Sequence, residues 1–334
     1  MSDQAHAARV IPDRIPVRFG WWKRWETILI AVAVAIFIFN ALASPYFLNP
    51  YNLSDATFNF TEKAMIAFAM ALLIIAGEID LSVASIIAIA STAMGAGAAA
   101  GAGPAELVVI GLAVGVVAGA FNGFIVTRFQ IPSIVVTIGT MSLFRGIAYV
   151  FLGDQVYRSY PPGFAWFGQG YVWWVVSFEF VMFLVFALIF GIVLHLTTFG
   201  RRIYAIGNNP VASQFSGVRV DRIRFLLFVL TGIMSGVAAV LLTSRIGSTR
   251  PTIATGFELE VVTMVVLGGV NILGGAGTIP GVVIAAFVMG LLTFGFGLLN
   301  VPGIVQSIFI GTLLIAVIAL PIVAGKIAAR WTAA

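Results

Sequence analysis

The segment Gly200 to Arg224, GRRIYAIGNNPVASQFSGVRVDRIR, is the longest polar interruption in an otherwise almost continuously apolar chain. It holds five of the eighteen basic residues, Arg201, Arg202, Arg219, Arg222 and Arg224. Basic residues in a short loop between apolar runs fix the side of a membrane on which that loop stays. The segment therefore reads as a cytoplasmic loop and as the place where a soluble partner takes hold.

The rest of the composition agrees. Sixty per cent of the residues are apolar, nine per cent are charged and mean hydropathy is +1.08, against roughly 25% charged residues in a soluble domain. This is the profile of a polytopic membrane protein, in which the bilayer rather than one core sets the architecture. The absence of cysteine excludes disulfides, thiolate metal sites and cysteine nucleophiles. With His6 and His195 alone, no histidine metal cluster is expected. A pI near 9.8 would suit nucleic acid, but the charge sits in short loops, where membrane topology accounts for it and no nucleic-acid partner is needed.

In chain order, residues 1–26 read as a cytoplasmic tail, with Arg9, Arg14, Arg18, Lys23 and Arg24 and an aromatic anchor of Trp21, Trp22 and Trp25. Ala41-Leu42-Ala43 resembles a signal-peptidase site, but the tail is long for an n-region and many apolar runs follow, which argues against cleavage. Ten runs have helical potential: Thr27 to Ala43, Glu62 to Ala76, Ile79 to Ala100, Ala105 to Thr127, Pro132 to Leu152, Trp173 to Leu196, Ile223 to Thr243, Phe257 to Leu273, Thr278 to Leu299 and Gly303 to Val323. All but the second have about the length that crosses 30 Å of hydrocarbon. The expected fold is thus an all-α integral membrane protein of about ten transmembrane helices with both termini cytoplasmic. That arrangement places thirteen basic residues inside and four, Lys63, Arg158, Arg245 and Arg250, outside, with Arg145 inside a span. Changing the helix count by one spoils this asymmetry.

Glycines 111, 115, 119 and 123 recur at every fourth position and put a small-residue stripe on one helical face, where another backbone can approach. Gly232 with Gly236, and Gly277 with Gly281, offer similar pairs. The run Gly95 to Gly103 ends a span and suits a tightly packed turn.

Chemistry-bearing constellations are few. The only Gly-Lys pair, Gly325-Lys326, is followed by Ile327, so no phosphate-binding loop is present, and transport must draw on a gradient or on another subunit. Ion-coupled carriers use intramembrane ionisable residues; here Glu78, Asp80, Glu179, Glu258 and Glu260 lie near span ends. Arg145 is inside one, at a cost of roughly 2.5 to 3.5 kcal/mol on insertion scales, and needs either a structural clamp or a wet cavity with substrate. In Gly77-Glu78-Ile79-Asp80-Leu81-Ser82, Asp80 and Ser82 suit a capped turn between two spans; a ligand role at a broken helix is the alternative.

Gly77-x-Ile79-Asp80-Leu81-Ser82, Asn122-Gly123, Pro132, Ile138-Gly139-Thr140 and Arg145-Gly146 resemble the permease subunits of bacterial ABC importers for monosaccharides, the ribose, xylose and arabinose group. Thr198-Phe199-Gly200-Arg201, Tyr204 to Asn208, Ala212, Ser216-Gly217, Gly247-Ser248, Pro251-Thr252, Gly256, Glu258-Leu259, Gly268-Gly269, Gly274-Gly275, Gly277 and Gly281 follow in the same order. The resemblance covers nearly the whole chain after the first span.

It implies a single transmembrane permease domain over 27–334 with a coupling loop at 197–222, in the bacterial inner membrane. Such a subunit is not an enzyme. It pairs with a second permease chain, like or unlike, receives sugar from a periplasmic binding protein, and is driven by cytoplasmic ATP-binding cassette subunits that carry the ATP and magnesium, with no cofactor or metal of its own. Pro210 to Gly217 fits a short helix, with proline in its first turn and glycine at its stop. The resemblance points to Pro210, Ala212, Ser216, Gly217 and Arg201 as ATPase-coupling residues; a merely solvated basic loop is the alternative. Asp80, Ser82, Asn122, Arg145, Asn271, Phe294 and Phe296 are the candidate substrate pathway, although aromatics at helical spacing also serve packing. Asp154, Arg158, Arg245 and Arg250 are candidates for docking the binding protein by charge, or are solvated charges beside interfacial aromatics. Glu78 and Ala276 depart from the family pattern, which commonly has glycine and a basic residue there. The Gly247 to Leu299 region is closer to the rhamnose and autoinducer-2 branch, so the expected cargo is a rhamnose-like deoxysugar or autoinducer-2. A branched-chain amino acid permease and an ion-coupled secondary carrier are the alternatives.

Overall fold

The computed structural model describes residues 25–332, with side chains to residue 319. The tail through residue 24, including its arginines, Trp21 and Trp22, lies outside the described residues. The helices are α1 (Trp25–Ala43), α2 (Pro50–Phe58), α3 (Thr61–Ile75), α4 (Val83–Ala99), α5 (Pro104–Phe129), α6 (Ser133–Leu152), α7 (Trp166–Gln169), α8 (Phe178–Leu196), α9 (Thr198–Asn208), α10 (Pro210–Phe215), α11 (Val220–Ile246), α12 (Phe257–Leu267), α13 (Ile279–Leu298) and α14 (Gly303–Thr332). One antiparallel hairpin, β1 (Tyr171–Trp173) with β2 (Val176–Ser177), precedes α8. Among the described residues the protein is therefore all-α apart from this hairpin.

Each of the ten apolar runs contains a helix, but the helices are unequal. Among the described residues α1, α5, α6, α8, α11 and α13 are long and apolar enough to cross a membrane, and α2 with α3, bent by 44°, passes as a seventh. The sequence expectation overstated the lengths of α4 and α12, whereas the second run, expected to be short, matches α3. Helices α3, α4 and α12 have 15, 17 and 11 residues and reach only about 16 to 26 Å at 1.5 Å per residue. Two breaks bound them, 76–82 and 268–278. At Gly77 and Gly274 the backbone takes φ of +86° and +90°, which a Cβ would strain. The sixth run also starts late, at Phe178, because the hairpin occupies 171–177.

Helix α3 is the axis. All fifteen of its residues are buried, as expected of a helix apolar on every side, and α8, α9, α11, α12 and α13 pack around it. Helix α11 crosses α5 through the glycines read from the sequence: a Cβ at Gly232 would lie 2.8 Å from Gly119 Cα, and one at Gly236 2.8 Å from the Gly111 oxygen. Gly277 and Gly281 do not form such a pair. Gly277 is in the 268–278 turn, whereas Gly281 packs on the backbone of Gly268. Trp25 is not a free interfacial anchor, since its indole N–H donates to the Leu267 carbonyl at 2.7 Å and ties α1 to α12. Exposed apolar side chains on α1, α5, α6 and α8, such as Ile38, Val117, Val135 and Leu188, give the bundle a surface suited to lipid.

Candidate functional site

Three groups of predicted residues fall at three places, and the 197–222 segment comes first. Thr197 caps α9, its hydroxyl accepting from Gly200 N–H at 3.3 Å. Asn209 both ends α9 and caps α10, its side-chain oxygen accepting from Ala212 N–H at 2.9 Å. Pro210 occupies the first position of α10, and Gly217, at φ +81°, follows its end, so the short helix expected from proline and glycine is present. Its two largest apolar side chains point away from the protein, with Phe215 88% and Val211 60% exposed. Ala212, Ser216 and Gly217 are exposed as well, as is Arg201 on the preceding α9. Phe215 and Val211 were missing from the expected coupling set. Their i, i+4 spacing could have found them.

The second place is the 76–82 break. Asp80 accepts from Ser82 N–H at 2.8 Å and from the Ser82 hydroxyl at 2.6 Å, closing a side-chain turn. Asn122 of α5 donates to the Ser82 hydroxyl at 2.7 Å and to Asp80 at 3.5 Å. All three residues are fully buried. The geometry thus contains a local side-chain turn rather than a side-chain cap on α4, and Asn122 pins it to α5. Glu78 pairs with Arg224 of α11 at 3.1 Å, so Arg224 serves this break rather than the loop surface. Other candidate pathway residues lie elsewhere. Asn271 is exposed in the 268–278 turn, its oxygen accepting from Leu273 N–H at 3.1 Å; the helix expected there ends at Leu267. Phe294 rests against Phe47 with ring centroids 6.0 Å apart, and Phe296 against Phe309 of α14 at 5.1 Å, which are packing contacts.

The third place is the end of the bundle opposite α10. Arg145 donates from one guanidinium nitrogen to the carbonyls of Pro251 at 2.6 Å and Ile253 at 2.8 Å: the clamp, of the two roles open to it. The loop it holds is bridged to the loop after α6 by Tyr157 and Thr249, whose backbones exchange hydrogen bonds. The Tyr160 hydroxyl also meets Thr249, and burial pushes its phenol up to about 12, so it stays neutral. Asp154, Arg158 and Arg250 are exposed on these two joined loops.

Arg245 differs from them and its place as a free docking charge is corrected. It makes a two-pronged ion pair to Glu62, both contacts 2.9 Å, and Glu62 is only 1% exposed. Lys63 is likewise engaged by Glu260 at 2.5 Å. Nearby, buried Glu179 accepts from Thr61 at 3.0 Å. A cavity of about 410 Å³ opens beside this cluster, lined by Asn59, Lys63, Arg245, Arg250, Thr252 and Phe257 among others. Glu179 and Glu260 are among the acids read near span ends; Glu62 is not, because at the start of a helix a carboxylate reads first as a favourable charge at the N-terminus. Among the described residues no group of His, Asp and Glu is arranged to hold a metal.

Apolar helices around a wholly buried one, with a basic loop presenting an uncharged short helix, define a multi-pass membrane protein. Residues 52–318 match the family described as branched-chain amino acid transport system / permease component, and the chain belongs to that permease family. Its relatives include the "Ribose import permease protein RbsC" of Bacillus subtilis (strain 168), 33% identical over 83% of this chain and 87% of that one. The "L-arabinose ABC transporter permease protein AraH" of Azospirillum brasilense is 34% identical over 92% of this chain and 90% of its own length. The ribose import permease of Escherichia coli (strain K12) is 34% identical over 86% and 90%. No solved structure matches the chain.

Proposed function

We propose that this chain is the membrane-spanning subunit of an ATP-driven importer for a monosaccharide, with ten membrane segments and both termini in the cytoplasm of a bacterial cell. The observation that carries the proposal is α10. In a permease relative of the ribose and arabinose proteins, a capped helix with Phe215 and Val211 turned outward suits a groove on a soluble ATPase subunit. Pro210, Asn209 and Gly217 fix its ends, Ala212 and Ser216 let the partner approach, and Arg201 is exposed on the preceding α9. ATP and magnesium belong to that partner, and this chain performs no hydrolysis. A second permease chain completes the pathway. A binding protein delivers sugar to the opposite end, where Asp154, Arg158 and Arg250 are exposed.

The relatives' names support a pentose, whereas the 247–299 region pointed to a rhamnose-like deoxysugar or autoinducer-2. Reconstitution into liposomes with the ATPase subunits and binding protein, assayed for uptake across pentoses, deoxyhexoses and furanosyl signals, decides between them. ATP-dependent uptake that is lost with Phe215→Ala, while the membrane subunit stays folded, is the expected outcome. Uptake by the chain alone under an ion gradient would instead establish a secondary carrier.

A further inference from the structure

Where α3 ends, three pieces of backbone meet with no side chain between them. The last carbonyls of a helix lack internal partners; that of Ile75 is taken by Gly275 N–H at 2.9 Å. The last turn of α9 lies directly against this bond. A Cβ at Gly207 would stand on the Ile75 oxygen and 3.0 Å from its carbonyl carbon. A Cβ at Gly274 would lie 3.2 Å from the same oxygen, 3.3 Å from the Gly207 oxygen and 3.3 Å from Gly77 Cα. Two side chains of α9 tighten the junction. Tyr204 donates to the Gly277 carbonyl at 2.6 Å, and Asn208 to the Gly275 carbonyl at 3.2 Å.

The junction has a rigid input and a branched output. On one side, α9 and α10 share Asn209 as end and cap, so no flexible linker separates the exposed helix from Gly207. On the other side, the break that begins at Ala76 is gripped by four helices: Arg224 of α11 through Glu78, Ser133 of α6 through Ile79 N–H at 3.2 Å, and Asn122 of α5 through Asp80 and Ser82, from which α4 starts. Backbone-to-backbone contact transmits displacement with little loss, because packed interiors are stiff.

We infer that Gly207, Tyr204 and Asn208, with Gly274 and Gly275, are positioning residues that carry motion of α10 into the 76–82 break, which redistributes it to α4, α5, α6 and α11. The inference rests on the coupling role proposed for α10. The side-chain hydrogen bonds of Tyr204 and Asn208 run to the 268–278 turn and within α9, not to the Asp80 cluster, so their effect is one of transmission.

The test uses the complete importer in liposomes. Tyr204→Phe, Asn208→Ala and the double variant each delete hydrogen bonds without adding atoms, whereas Gly207→Ala risks misfolding and is a secondary probe. Two quantities are read: ATP hydrolysed per substrate imported, and the maleimide labelling rate of an Ile79→Cys reporter with and without ATP, since the chain has no native cysteine. The double variant should assemble and hydrolyse ATP, yet consume at least roughly five-fold more ATP per substrate, the lower end of common coupling energies, and lose the ATP-dependent change at position 79. An unchanged ratio together with intact ATP-dependent labelling in the double variant overturns the inference and leaves ATP-driven import standing. Import by the wild-type chain without any ATPase overturns the functional reading instead.

Discussion

Arg145 shows how a charge inside a span is made tolerable. Its guanidinium is held by two backbone carbonyls of the loop after α11, so Arg145→Ala should free that loop. Hydrogen bonds to a charged group contribute about 1.5 to 3 kcal/mol, and faster proteolysis at 247–256 with a lowered melting temperature is the expected result. The Glu62 and Arg245 pair supplies a second case. Arg245→Ala leaves Glu62 buried without its cation, beside Glu179, and breaking a buried pair this way costs about 3 to 5 kcal/mol. The double variant Arg245→Met with Glu62→Gln should recover most of that loss in thermal unfolding, because no uncompensated charge remains; no recovery would mean that Arg245 acts through packing alone. Sequence reasoning marked Arg145 correctly as needing a partner. It could not give Arg245 one, since Glu62 is 183 positions away.

At the scale of elements, the α5 and α11 crossing is the part most sensitive to added volume. Gly115 and Gly232 face each other backbone to backbone, and a Cβ at Gly115 would come 3.0 Å from Gly236 Cα. Overpacking of this kind costs typically about 1 to 3 kcal/mol, so Gly232→Leu should lower the yield of folded protein and its melting temperature. Gly139→Ala, whose added Cβ meets nothing within 4 Å, should leave both unchanged in the isolated chain. If the two variants unfold alike, the close crossing is not what holds these helices. The stripe was legible because its period of four is local, and so were the proline and glycine that bound α10. The lengths of α4 and α12 were not. Apolar composition continues through their breaks, and only the closed backbone turns end the helices.

For the whole molecule, the absence of native cysteine makes orientation directly measurable. Single cysteines at Phe215 and Arg202 should react with a membrane-impermeant maleimide only from the cytoplasmic side, and cysteines at Arg158 and Arg250 only from the other. The reverse pattern would invert the proposed topology. The charge count behind it is sharpened by the ion pairs. Of the four basic residues that the proposed topology faces outward, Lys63 and Arg245 are neutralised within the bundle by Glu260 and Glu62, and of the proposed inward ones Arg224 is paired with Glu78, so the bias of free charge in that topology stays inward.

Composition and the order of apolar runs by themselves determined that the chain is an all-α membrane protein, which ten stretches contain its apolar helices, and that Gly200 to Arg224 contains a short helix. These are local properties: hydropathy over a span, spacing of glycines, a proline at a helix start and a glycine at its stop. Tertiary structure alone decided which charges are free, that α3 is enclosed on every side, that Phe215 and Val211 face outward, and that Ile75, Gly207 and Gly275 touch. Those facts depend on residues far apart in sequence being brought within hydrogen-bonding distance, and nothing in the local pattern records which distant backbone will arrive.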